Sequence, residues 1–290
     1  MTAAASVSVA AHAKLNLLLR ILARETSGYH QIETAFVLLE LADEITVTRS
    51  GSGVTLEVDG PDLGPVDENL AVRAARAVLQ ATGEKFGVAI KLVKRIPVRA
   101  GLGGGSSDAA AVLHAVNTLA EKAVPPQEVQ LFAARLGADV PFFASGAPFA
   151  LAWGRGERMY RLAPLPAAPV LVAVPAVSVA TPDAYRWWDE MHPEPTGRGP
   201  VAFDAESLGS WGSIGRLGGN DFEVPVFGKY PMLRAVFERL AQTGPLWVRL
   251  CGSGSAVAAV FRNERDRDAA AQSLGGRDAR LIKTTTRVGS

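Results

Sequence analysis

The sequence is poor in cysteine and histidine, with one Cys and four His in 290 residues. A single thiol, Cys251, cannot close an intramolecular disulfide, and we expect it to act as a small buried hydrophobic residue. The histidines, His12, His30, His114 and His192, lack the short spacing of a zinc site. We therefore expect a reducing compartment, the cytoplasm, and no structural metal site.

The sequence has no excess of charge of either sign. Its 30 Lys and Arg residues oppose 29 Asp and Glu residues, so the formal net charge is +1. Binding of a nucleic-acid backbone depends on a concentrated positive field, which this balance does not supply. The composition therefore argues against a dedicated nucleic-acid-binding protein. With 48% hydrophobic and 20% charged residues, it also argues against a disordered chain.

No stretch of the sequence predicts a membrane helix or a signal peptide. The longest uncharged stretch, Leu162–Pro182, contains five prolines, which would break a spanning helix. The first thirteen residues are uncharged but lack a basic start and a long leucine-rich core. We expect neither export nor a membrane partner.

The pattern of apolar residues predicts an α+β protein, because strands cluster first and then mix with helices without a regular βαβ repeat. The proline-rich segment Ala163–Pro169 is the best candidate for a domain boundary, and Met191–Gly219 is predicted to be a loop. The predicted strands are Val7–Leu22, Glu33–Leu41, Glu44–Thr48, Val54–Val58, Val88–Ile96, Leu171–Val174, Trp247–Leu250 and Ala256–Phe261. The predicted helices are Leu70–Thr82, Asp108–Glu121, Pro126–Leu136, Pro182–Glu190 and Pro231–Gln242.

The first predicted strand alternates apolar and polar residues, so Lys14 and Asn16 lie on one face, about 7 Å apart. Two polar side chains at this spacing suit contact with one bound ligand. The alternative is a half-exposed strand with a solvated lysine.

The strongest local signal is the segment Pro97–Asp108, which has four glycines in the five positions from Gly101 to Gly105 and runs directly into a helix. Glycines let the backbone approach an anion, and a helix start offers free N–H groups. The segment predicts a phosphate cradle, although it lacks the lysine of a Walker A loop and the βαβ context of a dinucleotide fingerprint. The alternative is an ordinary helix start capped by Ser106 or Ser107.

Three shorter segments carry further polar or aromatic groups. Asp139 is the only charged residue in a long apolar run and could accept a proton from a bound hydroxyl, with Lys14 as partner; an N-cap or turn aspartate is the alternative. Tyr29 and His30 follow a turn and could hold a planar base, or could be surface residues without a role. The glycine-rich segment Leu250–Ala256 is either a hairpin loop or a support for the first glycine-rich loop.

Together these segments resemble the three motifs of the GHMP small-molecule kinases, in the same order. The resemblance extends to the branch that acts on 4-diphosphocytidyl-2-C-methyl-D-erythritol in the non-mevalonate isoprenoid pathway. The motifs that carry it are AKLNL and GYH near the start, GLGGGSSDAA, LGADVPFF and GSG, with ENL, GRGE, TP and NDFE in support.

The resemblance implies a two-domain GHMP kinase fold. Residues 1–161 would form an ATP-binding domain of the ribosomal protein S5 domain 2-like type, and residues 162–290 a C-terminal α/β sandwich domain. It also implies an ATP-dependent and Mg²⁺-dependent transfer of phosphate to the 2-hydroxyl of the substrate. The oligomeric state, monomer or homodimer, is left open.

By the same resemblance, Asp139 is the catalytic base and Lys14 the group that orients the hydroxyl. The residues implied to bind substrate are Asn16, Tyr29, His30, Thr181 and Tyr185, with Tyr29 and His30 at the cytosine. Those implied to bind ATP are Asn69, Lys94, Pro97, Gly101, Gly103, Gly104, Gly105, Ser106 and Ser107.

The sequence departs from the family pattern at His12, at Arg99-Ala100 and in the third motif, GSGSAVAAVF. None of these changes removes Lys14 or Asp139, so we expect an active enzyme. Two other hypotheses remain: a GHMP kinase for another alcohol, such as homoserine or mevalonate, and a catalytically silent nucleotide-binding module.

Overall fold

The structure, a computed structural model, describes residues 5–193 and 206–289. These residues pack as two compact units, each built from stretches that are separate in the sequence. Unit 1 comprises residues 5–13, 41–98 and 103–146; unit 2 comprises residues 14–40, 99–102, 147–193 and 206–289. The predicted domains, 1–161 and 162–290, divide the chain in sequence order, and that division stays a prediction.

Two long strands lie near the start of the chain, and each contains residues of both units. Strand β1 spans Ser6–Arg24 and pairs with β2, which spans His30–Ser50. The sequence predicts a break in β2 at Ala42-Asp43, and this prediction is wrong. Asp43 is fully buried within the strand, and its carboxylate accepts hydrogen bonds from the backbone N–H groups of Arg95 and Ile96. Because its charge is met by these donors, the strand continues through an otherwise unfavourable residue.

Unit 1 combines a small sheet with four helices. Its strands β3 (Val54–Asp59) and β4 (Gly87–Val93) are parallel, and β4 is antiparallel to residues 44–50 of β2. The core lies where α1 and α2 face this sheet, with Val78, Leu113 and Ile90 all buried. The helices are α1 (Leu70–Ala81), α2 (Gly104–Leu119), α3 (Pro126–Leu136) and α4 (Val140–Ser145).

Unit 2 contains an antiparallel sheet in the strand order β10-β7-β9-β8. Its other strands, β5 and β6, extend residues 32–37 of β2 in antiparallel pairing. The strands are β5 (Phe149–Gly154), β6 (Arg158–Arg161), β7 (Pro169–Val174), β8 (Trp247–Leu250), β9 (Val257–Val260) and β10 (Arg280–Thr285). The helices are α5 (Thr181–Met191), α6 (Trp211–Ile214), α7 (Glu223–Lys229), α8 (Pro231–Ala241) and α9 (Glu264–Leu274).

The α+β class and most of the predicted elements are confirmed. The helices α1, α3, α5 and α8 agree with the predicted bounds to within one residue, because each carries a clear apolar face and a proline or asparagine at its start. The segment 162–168 has no helix or strand, as its prolines predict. Missing from the prediction are β5, β6, β10, α4, α6, α7 and α9, of which only α9 exceeds seven residues.

Two further predictions concern segments outside the regular elements. Of the predicted loop Met191–Gly219, residues 194–205 lie outside the described part of the chain, and Trp211–Ile214 is a short helix. Among the helices that the structure describes, none combines the length and apolar character needed to cross a bilayer.

Within unit 2, the first glycine-rich segment packs directly on the second. Gly101 has a φ of +79°, and a Cβ atom placed on it would lie 1.7 Å from the carbonyl oxygen of Cys251. Beside it, the backbone N–H of Ala256 donates to the carbonyl of Ala100 over 3.2 Å. Residues 251–256 are therefore both the loop of the β8–β9 hairpin and a support for the first segment, so the two alternatives drawn from the sequence hold together.

We predict that Gly101→Ala destabilises the protein by about 3 kcal/mol or more, because the new methyl group meets backbone on both sides and the φ is unfavourable. The free energy of unfolding from chemical denaturation measures this. The matched control is Gly228→Ala in α7, where nothing lies within 4 Å of the added carbon. That variant should be unchanged or slightly more stable; equal stability of the two variants would contradict the close contact.

Candidate active site

The start of α2 in unit 1 leaves its first backbone N–H groups without a capping side chain. Gly103 is the N-cap residue, with a φ of 74°, and no side chain caps the helix. The first hydrogen bond of the helix runs from the N–H of Ser107 to the carbonyl of Gly103, 2.9 Å apart. The N–H groups of the three preceding residues have no carbonyl one turn earlier to bind. The space where Gly105 would carry a Cβ is open, so the backbone is accessible there.

The alternative of a helix capped by Ser106 or Ser107 is wrong. The helix begins at Gly104, four residues before the predicted start, and both serines lie in its first turn. The left-handed conformation of Gly103 allows this early start, which a residue with a side chain would disfavour.

Three buried charged groups lie beneath this helix start. The ammonium of Lys94 contacts the Asp43 carboxylate and lies 2.8 Å from Oδ2 of Asp108. The side chains of Lys94, Asp43 and Asp108 are 3%, 0% and 4% exposed. A Cβ on Gly104 would lie 3.3 Å from the Lys94 ammonium, which is a tight contact. We call Asp43, Lys94 and Asp108 the buried ion cluster.

One carboxylate of the buried ion cluster is incompletely satisfied. Oδ1 of Asp108 is buried and has no hydrogen-bond partner among the described residues. Burial raises the pKa of the Asp108 carboxyl to about 7; the Lys94 ammonium opposes the rise and the Asp43 carboxylate adds to it. When Asp108 is neutral, the charges of Asp43 and Lys94 cancel and the buried ion cluster has no net charge.

The other residues implied to bind ATP lie on loops of unit 1, except Gly101, which belongs to unit 2. Asn69 caps α1, its Oδ1 accepting from the N–H of Ala71 over 2.9 Å. Pro97 is half-buried in the segment between β4 and α2. Strand β4 ends at Val93 rather than at the predicted Ile96, because the N–H groups of Arg95 and Ile96 donate to the Asp43 side chain.

Asp139 occupies the N-cap position of α4 in unit 1 but makes no capping hydrogen bond with its side chain. The residue is half-buried at the junction of α3 and α4, between Gly137 and Pro141. It therefore has the position of the N-cap or turn aspartate that the sequence left as an alternative. Its side chain does not make the capping hydrogen bond that is typical of an N-cap aspartate.

Lys14 and Asn16 lie in β1 within unit 2, and the alternative of a solvated lysine is wrong. Lys14 is 3% exposed, and its ammonium donates to Oδ1 of Asn16 over 2.5 Å. Asn16 in turn donates to the hydroxyl of Thr34 over 2.9 Å, and that hydroxyl donates to the carbonyl of Leu18. This chain of hydrogen bonds orients the amide of Asn16 and hence holds the lysine.

The second glycine-rich segment, Leu250–Ala256, approaches the same lysine within unit 2. A Cβ on Gly252 would lie 3.4 Å from the Lys14 ammonium. Asn220 donates from Nδ2 to the carbonyls of Leu250 (2.9 Å) and Gly252 (2.6 Å). The NDFE motif thus holds this loop. From the sequence alone, the motif only supported the family resemblance. Cys251 is fully buried and burial raises the pKa of its thiol to about 12, so the prediction of a small buried hydrophobic residue is confirmed.

The residues implied to bind the base are also in unit 2. His30 is buried and its ring stacks on Tyr185, 4.4 Å between centroids. Tyr29 is 59% exposed, and the guanidinium of Arg155, from the GRGE motif, covers its ring at 4.0 Å. Thr181, at the start of α5, shares a hydrogen bond with Ser253 over 2.9 Å. The reading of His30 as a surface residue is therefore wrong, while Tyr29 is exposed as that reading expects.

Two family models match this chain. The N-terminal domain of GHMP kinases matches residues 69–147, and their C-terminal domain matches residues 202–278. Together they cover more than half of the chain, and they include the glycine-rich start of α2 and the third motif. The chain belongs to the GHMP kinases.

Individual relatives place this kinase within the family. The 4-diphosphocytidyl-2-C-methyl-D-erythritol kinase of Chlorobaculum tepidum is 39% identical over 93% of this chain and 94% of that protein. The enzyme of the same name from Moorella thermoacetica is 39% identical over 88% of this chain and 90% of that protein. A crystal structure of 4-(cytidine 5'-diphospho)-2C-methyl-D-erythritol kinase has a TM-score of 0.81 at 38% identity and covers 98% of this chain and all of that one.

More distant structures share the fold alone. The homoserine kinase of Cytophaga hutchinsonii has a TM-score of 0.73 at 18% identity, and covers all of this chain and 96% of its own. The kinase is therefore a small-molecule kinase of the GHMP family that uses ATP, and within that family it belongs with the 4-diphosphocytidyl-2-C-methyl-D-erythritol kinases.

We predict that the free energy of unfolding of this kinase falls as the pH rises from about 4 to about 7. Asp108 keeps its proton in the folded state up to about pH 7, whereas an ordinary aspartate loses it near 3.8, so unfolding releases a proton in this window. Asp108→Asn should flatten the fall. The measurement is chemical denaturation at several pH values.

The matched control is Asp67→Asn, which changes an exposed carboxylate paired with Arg76 at the surface. It should keep the slope of the wild-type protein. Parallel curves for the wild-type protein and Asp108→Asn would show that Asp108 is ionised throughout.

Proposed function

We propose that this kinase transfers the γ-phosphoryl group of ATP to the 2-hydroxyl of 4-diphosphocytidyl-2-C-methyl-D-erythritol, which gives the 2-phosphate and ADP. The observation that carries the substrate is agreement along the whole chain with a solved kinase of that name, at 38% identity and a TM-score of 0.81. The reaction belongs to the non-mevalonate route to isoprenoid precursors.

In this proposal the start of α2 holds the triphosphate. Its free N–H groups and the positive end of the helix dipole favour phosphate oxygens. The uncapped helix start and the open space beside Gly105 support this role. The proposed phosphate-binding residues are Gly101, Gly103, Gly104, Gly105, Ser106 and Ser107.

Asn69, Lys94 and Pro97 are proposed to lie on the adenosine side. The Lys94 ammonium is committed to two carboxylates, so we assign to the nucleotide only its aliphatic stem. The amide of Asn69 keeps its N–H₂ group for a ligand, since its oxygen caps α1.

The proposed proton acceptor is Asp139 in unit 1. Its carboxylate takes the proton of the 2-hydroxyl as the oxygen attacks the γ-phosphorus, and ADP leaves. Lys14 in unit 2 is proposed to orient that hydroxyl and stabilise the negative charge that develops on its oxygen. The hydrogen bond from Lys14 to Asn16, fixed in turn by Thr34, supports a held ammonium rather than a mobile one.

Mg²⁺ is proposed to accompany ATP. Among the described residues no cluster of three or more His, Cys, Asp or Glu side chains could hold a metal alone. Mg²⁺ prefers oxygen ligands, among them substrate phosphates and water, and the hydroxyl of Ser106 in the first turn of α2 would supply one from the protein. When bound, the ion neutralises charge on the phosphates.

The substrate is proposed to lie along residues of unit 2. Asn16 and Thr181 bind the methylerythritol diphosphate part, and Tyr29, His30 and Tyr185 bind the cytosine. Flat aromatic faces and a ring nitrogen suit a planar base that also needs a hydrogen bond. For the location we propose the cytoplasm, since one buried thiol suits a reducing compartment.

The experiment that tests the function is ³¹P NMR of the purified protein with Mg-ATP and one candidate alcohol per tube. The alcohols are 4-diphosphocytidyl-2-C-methyl-D-erythritol, mevalonate and homoserine. A new phosphomonoester signal with the cytidine compound alone supports the proposal. A signal with another alcohol instead refutes the substrate, and silence in every tube favours a nucleotide-binding module.

We predict that Asp139→Asn keeps the affinity for ATP and substrate within a few-fold but lowers kcat by about 10²- to 10⁴-fold, because the amide keeps the shape and cannot accept the proton. Steady-state kinetics and calorimetric binding measure the two effects. Asp278→Asn, at a surface ion pair with Arg239, is the control and should keep wild-type kinetics. Near-normal turnover of Asp139→Asn would remove it from the role of base.

A further inference from the structure

His30 is held by an acidic residue that none of the sequence motifs includes. Nε2 of His30 lies 2.7 Å from Oδ1 of Asp189, which is on α5 and 159 residues away in the sequence. The His30 side chain is 6% exposed and that of Asp189 is 20% exposed. The other carboxylate oxygen of Asp189 faces the guanidinium of Arg24 at 3.4 Å.

This contact decides where the imidazole carries its proton. An ionised carboxylate can only accept a hydrogen bond, so the hydrogen must lie on Nε2 of His30. In a neutral imidazole the other nitrogen, Nδ1, then has a lone pair and acts as an acceptor. The contact with Asp189 uses Nε2, so we assign the other ring nitrogen, Nδ1, to the ligand.

The ring is also fixed in orientation by α5. Tyr185 stacks on it with an interplanar angle of 16°, and Trp188 meets it edge-on at 5.9 Å. Tyr185, Trp188 and Asp189 are three and four residues apart and so share one face of the helix. One helix thus sets both the tilt of the imidazole and its proton.

We propose that Asp189 is a positioning residue that makes Nδ1 of His30 a hydrogen-bond acceptor, so that the site selects cytosine over uracil. This inference rests on the proposed function, which places the base at His30. Cytosine carries an amino group at C4, which donates to an acceptor, whereas uracil carries an oxygen there. Uracil would therefore set two lone pairs against one another and leave both without a partner.

The test compares Asp189→Asn, Asp189→Glu and Asp183→Asn. Asn keeps the shape at position 189 but offers both a donor and an acceptor, so the His30 ring is no longer held in a single tautomer. Glu restores a carboxylate. Asp183 is on the same helix and pairs with Arg186, with its side chain 45% exposed, so its variant is the matched control.

Two readouts are used on the intact protein. The first is kcat/KM for the cytidine substrate and for its uridine analogue, with KM for ATP as a check. The second is ¹⁵N NMR of the histidine rings in the free protein, which distinguishes a protonated Nε2 from a protonated Nδ1 without any turnover. A role limited to folding would lower both values of kcat/KM together and leave their ratio unchanged.

The expected result is an Nε2-protonated neutral His30 in the wild-type protein and a mixture of tautomers in Asp189→Asn. The preference for cytidine over uridine should fall roughly tenfold or more in Asp189→Asn. It should recover at least in part in Asp189→Glu and stay unchanged in Asp183→Asn. KM for ATP should not move in any of them.

Three outcomes overturn the inference while the proposed function stands: a wild-type enzyme that uses both substrates equally, an unchanged preference in Asp189→Asn, or a wild-type His30 protonated at Nδ1. A wild-type enzyme that phosphorylates neither compound is a different result. It overturns the proposed function, and the inference with it.

Discussion

A single ammonium group between two buried carboxylates underlies the glycine-rich start of α2 in this kinase. Lys94 brings together Asp43 of β2 and Asp108 of α2, and Asp43 also binds the backbone of the segment that leads into the glycine-rich loop. Removal of Lys94 or Asp43 from such a cluster leaves an uncompensated buried charge, which is among the costliest changes a core can undergo. The start of α2 and the end of β4 are therefore held by the same ions.

In unit 2 a chain of hydrogen bonds that starts at the Lys14 ammonium has the corresponding structural role. Lys14, Asn16 and Thr34 are linked in sequence, and the carbonyl of Leu18 ends the chain. Asn220 separately ties the second glycine-rich segment to the end of β8. A lysine held in this way loses little conformational freedom on meeting a ligand, which is how preorganised charge contributes to catalysis.

Much of this arrangement follows from local pattern. The alternation in β1 placed Lys14 and Asn16 on one face, and the glycine run placed a helix start after it. The start of α2 itself was predicted four residues too late, because Gly104 and Gly105 are poor helix residues in isolation. They are accepted since Gly103 turns the chain and a Cβ on Gly104 would crowd the side chains of Ile96 and Lys94, at 3.1 Å and 3.3 Å.

The sequence by itself determined the α+β class and the resemblance to GHMP kinases, and it supplied the residues proposed for the site, since these depend on neighbours within a few positions. Only the tertiary structure decided that Asp43 lies inside a strand and pairs with Lys94, 51 residues away, and that His30 is held by Asp189. Burying a charge is costly unless a partner meets it. The partner is chosen by how strands and helices pack, and no local pattern carries that information.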